Sequence, residues 1–153
     1  MRYLNLKAGC VLVGLLVATA ILSYFWLPHD PNEMNISSRL EEPSQTNIFG
    51  TDHFGRDIFS RVIISTRAAL TVGFISVGIG LVSGALVGSL AAMRGGWIDE
   101  ALMRIVDAVY AFPTILFALL VITVLGPGLV NSMVAIGMAN MPIFARLMRG
   151  SIL

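Results

Sequence analysis

The sequence predicts an all-α integral membrane protein with about four transmembrane helices and a short amphipathic helix on the periplasmic side. Its 153 residues are 56% hydrophobic and 12% charged, and the mean hydropathy is +0.83. Soluble domains are about 45–50% apolar and about 25% charged, so one core of this size could not bury all of these side chains. A chain of this length has room for roughly three to five membrane spans of about 20 residues each.

Charge and cysteine content exclude several other classes of protein. Ten basic and nine acidic residues give a net charge of +1, far from the basic surface that nucleic-acid binding requires. Cys10 is the single cysteine and lies in an apolar run, which is typical of a small buried hydrophobe. A zinc site built on cysteines is therefore excluded.

Four runs without charged residues are the predicted membrane spans. They cover residues 8–27, 68–93, 108–125 and 129–145. At about 1.5 Å per residue, runs of this length can cross a hydrocarbon layer of roughly 30 Å. The turn 126–128 (Gly-Pro-Gly) separates the last two. The fourth run is the weakest candidate, because it contains Asn131, Asn140 and Pro142.

The first run could also be a cleaved signal peptide. Basic Arg2 and Lys7 precede it, and residues 18–20 (Ala-Thr-Ala) resemble a cleavage site. The apolar stretch continues to Leu27, beyond the usual length of a signal-peptide core, and this continuation favours an uncleaved anchor.

The positions of basic residues predict that both termini are cytoplasmic. Segments 1–7, 94–107 and 146–153 would then be cytoplasmic, and segments 28–67 and 126–128 external. The basic residues assigned inside lie close to helix ends, whereas those assigned outside lie in one long loop, and the positive-inside rule gives weight to this difference. The inner set is Arg2, Lys7, Arg94, Arg104, Arg146 and Arg149, and the outer set is Arg39, Arg56, Arg61 and Arg67.

The long polar segment 28–67 is predicted to end in a short amphipathic helix. Phe54, Ile58 and Val62 recur every four residues, with polar residues on the other faces. Thr51 or Asp52 would cap this helix. Asp57 and Arg61 are spaced for an ion pair within it.

The second span carries a stripe of small residues at every fourth position. Such a stripe lets another backbone approach closely, either within the chain's own helix bundle, which we favour, or at a subunit interface. The stripe consists of Ser76, Gly80, Gly84, Gly88 and Ala92.

The sequence offers no catalytic constellation and no cofactor site. No charged residue lies in the middle of a predicted span, and Arg104 and Asp107 are spaced to pair at the inner edge of the third. Asp52, His53 and Asp57 are conceivable metal ligands, but their spacing imposes no coordination geometry, so no metal site is predicted.

Several segments together resemble one family. Residues 50–61 (GTDHFGRDIFSR) are similar to the GTDxxGRDxxSR signature of ABC-transporter permeases of the dipeptide, oligopeptide and nickel uptake family. Residues 95–99 (GGWID), 103–107 (MRIVD), 112–113 (FP) and 145–151 (ARLMRGS) resemble further family landmarks, in the expected order. Transporters of this family contain two permeases, and an N-terminal anchor followed by a long external segment resembles the second of them. The signature residues are Gly50, Thr51, Asp52, Gly55, Arg56, Asp57 and Arg61.

This resemblance implies a subunit of a bacterial inner-membrane importer. Its partners would be a second permease, two ATPase subunits that bind and hydrolyse ATP, and an extracytoplasmic substrate-binding protein. The permease itself would catalyse no reaction and bind no cofactor. The segment 28–67 would face the binding protein.

The resemblance leaves the substrate and the extent of the chain open. Peptide and nickel permeases share these landmarks, and we expect a peptide. Family members continue into a cytoplasmic loop that docks on the ATPase, so we expect the sequence to be a fragment rather than a split subunit. A non-transporting four-helix assembly protein, based on the small-residue stripe, is the alternative from another class.

Overall fold

The computed structural model describes the backbone of residues 2–153 and all of their side chains except those of Arg2 and Leu4. Met1 and the Arg2 side chain, which belong to the predicted cytoplasmic N-terminus, lie outside the described residues. Within them the structure contains five α-helices, one short 3-10 helix and no strand, which confirms the all-α prediction. The α-helices are α1 (Arg2–Leu22), α2 (Ile58–Arg94), α3 (Gly96–Ala111), α4 (Thr114–Leu125) and α5 (Leu129–Ile152), and the 3-10 helix is Ile36–Ser38.

Two of these helices are long and apolar enough to cross a membrane, α1 over Asn5–Leu22 and α2 over Ile58–Arg94. A third candidate is the pair α3 and α4, which are bent by 99° relative to each other. Helix α5 does not qualify, and its sequence contains the polar Asn131 and Asn140 and, toward its C-terminal end, Arg146 and Arg149. The structure therefore supports two or three spans by length and composition, where the sequence predicted about four.

The first two helices differ from their predicted boundaries. Helix α1 ends at Leu22 rather than at Leu27, and residues 23–26 form turns. Helix α2 begins at Ile58 and continues without a break into the predicted second span, so in the part of the chain that the structure describes the expected amphipathic segment is the start of α2 and not a separate helix. The reason is local, because residues 58–72 contain neither proline nor glycine to interrupt the helix.

The third predicted span is also changed. Helix α3 fills most of the segment that was expected to be a cytoplasmic loop, and the predicted span 108–125 is divided where α3 ends at Ala111. Pro113 has no backbone N–H and disfavours helical geometry at Phe112, which is extended with φ −79° and ψ 138°.

The chain forms two compact units, residues 1–71 and 72–153. In the first unit the buried side chains come from the end of α1 and the residue after it, from the loop before α2 and from the start of α2, and they include Ala20, Ser23, Thr51, Asp57, Ser60 and Ile63. In the second unit the buried side chains lie on all four helical segments. They include Ala91 of α2, Val106 of α3, Val121 of α4 and, in α5, Met133, Ala135 and Ala145.

Candidate functional site: the signature loop and the glycine seam

Asp52 organises residues 50–61, which comprise a loop and the first turn of α2 and are here called the signature loop. Its Oδ1 accepts hydrogen bonds from the backbone N–H groups of Phe54 at 2.8 Å and Arg56 at 3.1 Å. Its Oδ2 accepts one from Arg56 Nε at 2.9 Å and lies 3.9 Å from Arg61 Nε. One carboxylate thus fixes both the turn and the two arginines of the signature.

The same contacts explain the acidity of Asp52. Burial by itself would raise the pKa of this carboxyl group, but the backbone donors of Arg56 and Phe54 and the Arg56 guanidinium outweigh that effect. The pKa is lowered from 3.8 to about 2. Asp52 is therefore a permanent anion at neutral pH.

Thr51 and the two glycines join the signature loop to the preceding segment. The buried Thr51 hydroxyl donates to the Ser38 carbonyl at 2.5 Å and accepts from the Glu41 N–H at 2.9 Å. Gly50 and Gly55 have φ of +72° and +74°, and a Cβ on either would collide with a backbone carbonyl, that of Glu41 or of Asn35. Glycine is required at both positions by conformation and by space.

Asp57 caps helix α2, a role that the sequence assigned to Thr51 or Asp52. Its Oδ2 accepts the Ser60 N–H at 2.8 Å, and the helix begins one residue after it. The expected ion pair between Asp57 and Arg61 is not formed. Arg61 instead approaches Asp52 and donates to the Pro31 carbonyl at 3.5 Å, because the cap holds Asp57 against the helix end.

The histidines lie at different places in this unit. His53 is exposed, and its ring packs against Phe54 at a centroid distance of 4.2 Å. His29, which the sequence did not single out, donates its backbone N–H to Ser60 Oγ at 3.1 Å, and its side-chain Nδ1 lies 3.7 Å from Asp57 Oδ2. Within residues 2–153 the structure shows no group of three metal-ligating side chains at these positions.

The small-residue stripe of α2 packs against α5 of the same chain, and we call this contact the glycine seam. Ser76 Oγ donates to the Met133 carbonyl at 3.0 Å. A Cβ on Gly80 would lie 3.0 Å from the Gly137 carbonyl, and one on Gly84 would lie 2.6 Å from the Met141 carbonyl. Gly88 faces the Ala145 carbonyl still more closely. Ser76 and the three glycines are buried and Ala92 is half-buried.

The register of the seam defines the direction of the two helices. Ser76 and the three glycines each have an α5 partner 57 positions further along the chain, as in the pair of Ser76 and Met133. A constant offset means that α2 and α5 run parallel. The intervening α3 and α4 must therefore carry the chain back, as one bent crossing of the membrane would.

Two ion pairs join α3 to α5. Arg149 makes two hydrogen bonds of 2.6 Å to the carboxylate of Asp99, and Arg146 Nη2 lies 2.7 Å from Asp107 Oδ1. The higher-numbered arginine meets the lower-numbered aspartate, so α3 and α5 are antiparallel. The three landmark segments GGWID, MRIVD and ARLMRGS thus come together in space.

These contacts show that the predicted pair of Arg104 with Asp107 is wrong. Arg104 lies 3.4 Å from Glu100, one turn earlier on the same helix, and both side chains are exposed. Asp107 is engaged by Arg146, whose guanidinium also lies 4.2 Å above the Tyr110 ring. Spacing along one helix could not reveal partners on another.

Arg67 is a further contact that the sequence did not indicate. Its guanidinium donates to both the hydroxyl and the carbonyl of Ser23, just after α1, and lies 3.7 Å from the Tyr24 ring centroid. The arginine satisfies a carbonyl left free just after the end of α1.

Known proteins resemble the chain over nearly its whole length. It is 40% identical over 152 residues to the dipeptide transport system permease protein DppC of Alkalihalophilus pseudofirmus, covering 96% of this chain and 50% of that protein. It is 41% identical over 153 residues to the glutathione transport system permease protein GsiD of Pectobacterium atrosepticum, covering 99% and 50%. It is 35% identical over 149 residues to the nickel transport system permease protein NikC of Escherichia coli, covering 97% and 54%.

A family model agrees with these relatives. Residues 84–153 match the inner membrane component of binding-protein-dependent transport systems. The chain belongs to this permease family. The matched permease segment contains the ion pairs between α3 and α5 and the end of the glycine seam. The chain spans about half the length of the curated relatives it matches.

Membership of this permease family explains the apolar composition of the chain. A permease of this family is an inner-membrane component of a transport system, and its relatives are transport subunits rather than enzymes. The apolar helices provide the multi-pass membrane part.

Proposed function

We propose that the chain forms part of a permease in an ATP-driven importer that carries short peptides across the bacterial inner membrane. The observation that supports this proposal is the 40% and 41% sequence identity of the chain to dipeptide and glutathione permeases. Glutathione is itself a short peptide. A nickel importer is the second candidate, because the nickel permease is 35% identical over a similar length.

The proposed partners are a second permease, two ATPase subunits and an extracytoplasmic binding protein. The family is named for dependence on a binding protein, and we assign the segment 28–57 with the signature loop to that contact. The part of this segment that precedes the signature loop exposes large apolar side chains, including Ile36 (75% exposed), Leu40 and Phe49. Exposed apolar side chains on an otherwise polar segment favour a protein contact over bulk water.

In the proposed orientation both termini are cytoplasmic, so α5 would be a fourth crossing in addition to α1, α2 and the bent pair of α3 and α4 that qualify by length and composition. The parallel α2 and α5, with α3 antiparallel to α5, support an alternating path in which α3 and α4 return the chain across the membrane. The ion pairs at the start of α3 and the end of α5 would then lie at the cytoplasmic face. They would transmit movement between these helices as the ATPases close.

Cysteine labelling tests the orientation. In a Cys10→Ser background, Asn32→Cys and Ser151→Cys place single thiols at two exposed positions. We expect a membrane-impermeant maleimide to label the first in intact spheroplasts and the second only after lysis. The reverse pattern would invert the topology.

Growth and uptake assays test the substrate. A strain in which the gene is deleted should lose growth on dipeptides as sole source of a required amino acid, while nickel uptake stays unchanged. Complementation by the intact gene is the control. Unchanged peptide uptake together with lost nickel uptake would favour the second candidate.

The alternative of a self-contained assembly protein loses its main support. The stripe proposed as its interface already packs on α5 of the same chain. Detergent-purified chain carrying Gly84→Leu should be destabilised rather than merely dissociated. A defined oligomer that the substitution leaves intact would show that assembly does not depend on the stripe.

A further inference from the structure

Helix α3 is steeply inclined to α5, although the two run in opposite senses. The ion pairs join Asp99 to Arg149 and Asp107 to Arg146, so residues 99 to 107 of α3 face residues 149 to 146 of α5. At 1.5 Å per residue, about 12 Å of α3 corresponds to about 4.5 Å of α5. Helix α3 therefore advances only about 0.6 Å along the α5 axis for each of its residues.

Helix α4, in contrast, runs alongside α5. At the end of α4 the carbonyls of Leu125 and Gly126 accept hydrogen bonds from Asn131 Nδ2 at 2.9 and 3.0 Å. Near its start, Phe117 and Ile143 line one cavity. Because α3 is bent by 99° from α4, the bend and the ion pairs both place α3 at a steep angle to α5 and to the parallel α2.

The surface of α3 that α5 does not cover carries an apolar strip. The strip recurs at helical spacing on one face, and its members are exposed: Trp97 (78%), Ala101, Ile105 (60%) and Ala108. Val106, on the opposite side of the helix, is fully buried. The strip is thus additional to the apolar side that packs within the chain.

A polar strip adjoins the apolar one. It consists of the exposed Glu100, Arg104 and Asp107. Its charges are compensated, because Arg104 lies 3.4 Å from Glu100 and Arg146 lies 2.7 Å from Asp107. A helix with an exposed apolar strip beside a charged one, and with an exposed tryptophan, is typical of segments that lie at a membrane surface.

The elements on either side of α3 extend the apolar surface. Helix α2, a candidate span, ends with the exposed Leu90 and Met93 before the exposed Arg94. Helix α4 begins with the exposed Ile115 and Leu116. The apolar strip is therefore continuous along the chain with surfaces suited to lipid, which favours lipid over water or a protein partner as its surroundings.

We propose that α3 lies along the surface of the bilayer, with the strip of Trp97, Ala101 and Ile105 in the boundary between lipid headgroups and acyl chains. Its polar strip faces the water, and α4 makes the ascending part of the bent crossing. The partner of this surface is phospholipid. The proposed orientation determines on which side of the membrane α3 lies, whereas its position in the boundary depends on neither that orientation nor the transported substrate.

Spin-label depth measurements test the proposal on the chain in phospholipid liposomes, in a Cys10→Ser background. Labels at Trp97→Cys, Ala101→Cys and Ile105→Cys report on α3. The matched controls on α4 have the same spacing and are also exposed: Leu116→Cys, Leu120→Cys and Val124→Cys. Depth is obtained from the ratio of collision rates with oxygen, which enters the bilayer, and with a water-soluble nickel chelate.

The α3 labels should differ in depth by about 4.5 Å over two turns, near the headgroups, and the α4 labels by about 12 Å. An equal change of depth along both helices would show that α3 crosses the bilayer and would overturn the proposal. High collision rates with the nickel chelate at all three α3 labels would place the strip in water. Low rates with both reagents would mean that protein covers it, and either result contradicts a lipid contact.

A charged substitution connects the depth to the strip. Ile105→Asp places a carboxylate in the apolar strip and should raise the collision rate of the Ala101→Cys label with the nickel chelate severalfold. Arg104→Asp places the same group one residue away on the polar strip and should leave that rate unchanged. Equal rates in the two variants would contradict the assignment of this strip to lipid. Because no transport is measured, such a failure leaves the importer proposal standing.

Discussion

The signature loop and the glycine seam hold the chain together by opposite means. In the loop, Asp52, Thr51 and Asp57 satisfy backbone groups with polar side chains, and the pieces joined are irregular. In the seam, Gly80, Gly84 and Gly88 contribute no side chain, and two regular helices touch through their backbones. A segment in water needs hydrogen bonds to fix a loop, whereas helices in lipid gain from close packing.

Both regions nevertheless depend on glycine, for different reasons. In the loop, Gly50 and Gly55 combine positive φ with a close carbonyl. In the seam, the glycines are helical and only the close approach matters. Substitutions that separate the cost of a positive φ from the cost of a steric clash at Cβ therefore test the comparison directly.

The largest effect is expected for Gly55→Ala. The new Cβ would overlap the Asn35 carbonyl and require an L-residue at φ +74°. Positive φ costs about 1–2 kcal/mol and the overlap adds about 1–3 kcal/mol. Hydrogen exchange of residues 50–61 should show the loss as a greatly increased opening of the loop.

Gly95→Ala is the control for that substitution. Gly95 has φ +60° but nothing within 4 Å of its Cβ position, so only the conformational cost applies. Because its ψ is −167°, the backbone of Gly95 lies in a region essentially restricted to glycine, and we expect roughly 1–3 kcal/mol of local destabilisation. Equal losses at both sites would show that the contact with Asn35 contributes nothing.

A smaller loss is expected for Gly88→Ala in the seam. The added methyl would collide with the Ala145 carbonyl, and backbone on both helices must shift. Overpacking of this kind costs about 1–3 kcal/mol. Unfolding of the chain in mixed micelles, followed by circular dichroism, measures it.

Gly78→Ala on the same helix is the matched control, because its Cβ position is open. Alanine has the better helix propensity, by up to about 1 kcal/mol, so this variant should be neutral or slightly more stable. If the two variants behaved alike, the seam would not be a close contact in the membrane.

The two regions also differ in how far the sequence predicted them. Periodicity was sufficient for the stripe, because every fourth residue of a helix lies on one face. The partner of the stripe was not predictable, since Ser76 meets Met133 across 57 positions. In the loop, the motif indicated the residues but not their roles, and Asp57 rather than Thr51 or Asp52 proved to be the cap.

Helix boundaries show the same limit. Pro113 divides the third predicted span, and its effect on Phe112 could have been inferred from proline chemistry. The pairing of Arg146 with Asp107 across 39 positions could not, because Arg104 lies on the same helix as Asp107 and is nearer in sequence. Local sequence rules identified the helices, whereas the ion pairs between residues far apart in the sequence could be assigned only from the fold.

The ion pair between Arg149 and Asp99 should contribute less than the glycine contacts. It is bidentate, but Arg149 is 36% exposed, which screens it. A double-mutant cycle of Arg149→Gln and Asp99→Asn in mixed micelles should give a small favourable coupling energy. The parallel cycle on Arg104 and Glu100, exposed and 3.4 Å apart, should give a value near zero. A larger coupling for the exposed pair would contradict this ranking.

The smallest effect at neutral pH, and the one confined to the signature loop, is the acid response of Asp52. Its pKa of about 2 lies below the ordinary 3.8, so the folded loop favours the carboxylate. The resulting stability is complete above about pH 4 and is lost as the pH falls through 2. The Arg56 Nε–H signal should therefore keep its bonded NMR shift to below pH 3, whereas in Asp52→Asn it should lack this acid transition. The seam, whose contacts are uncharged, should give no transition in that range, and a seam that opened together with the loop would mean that the two regions are not held by separate forces.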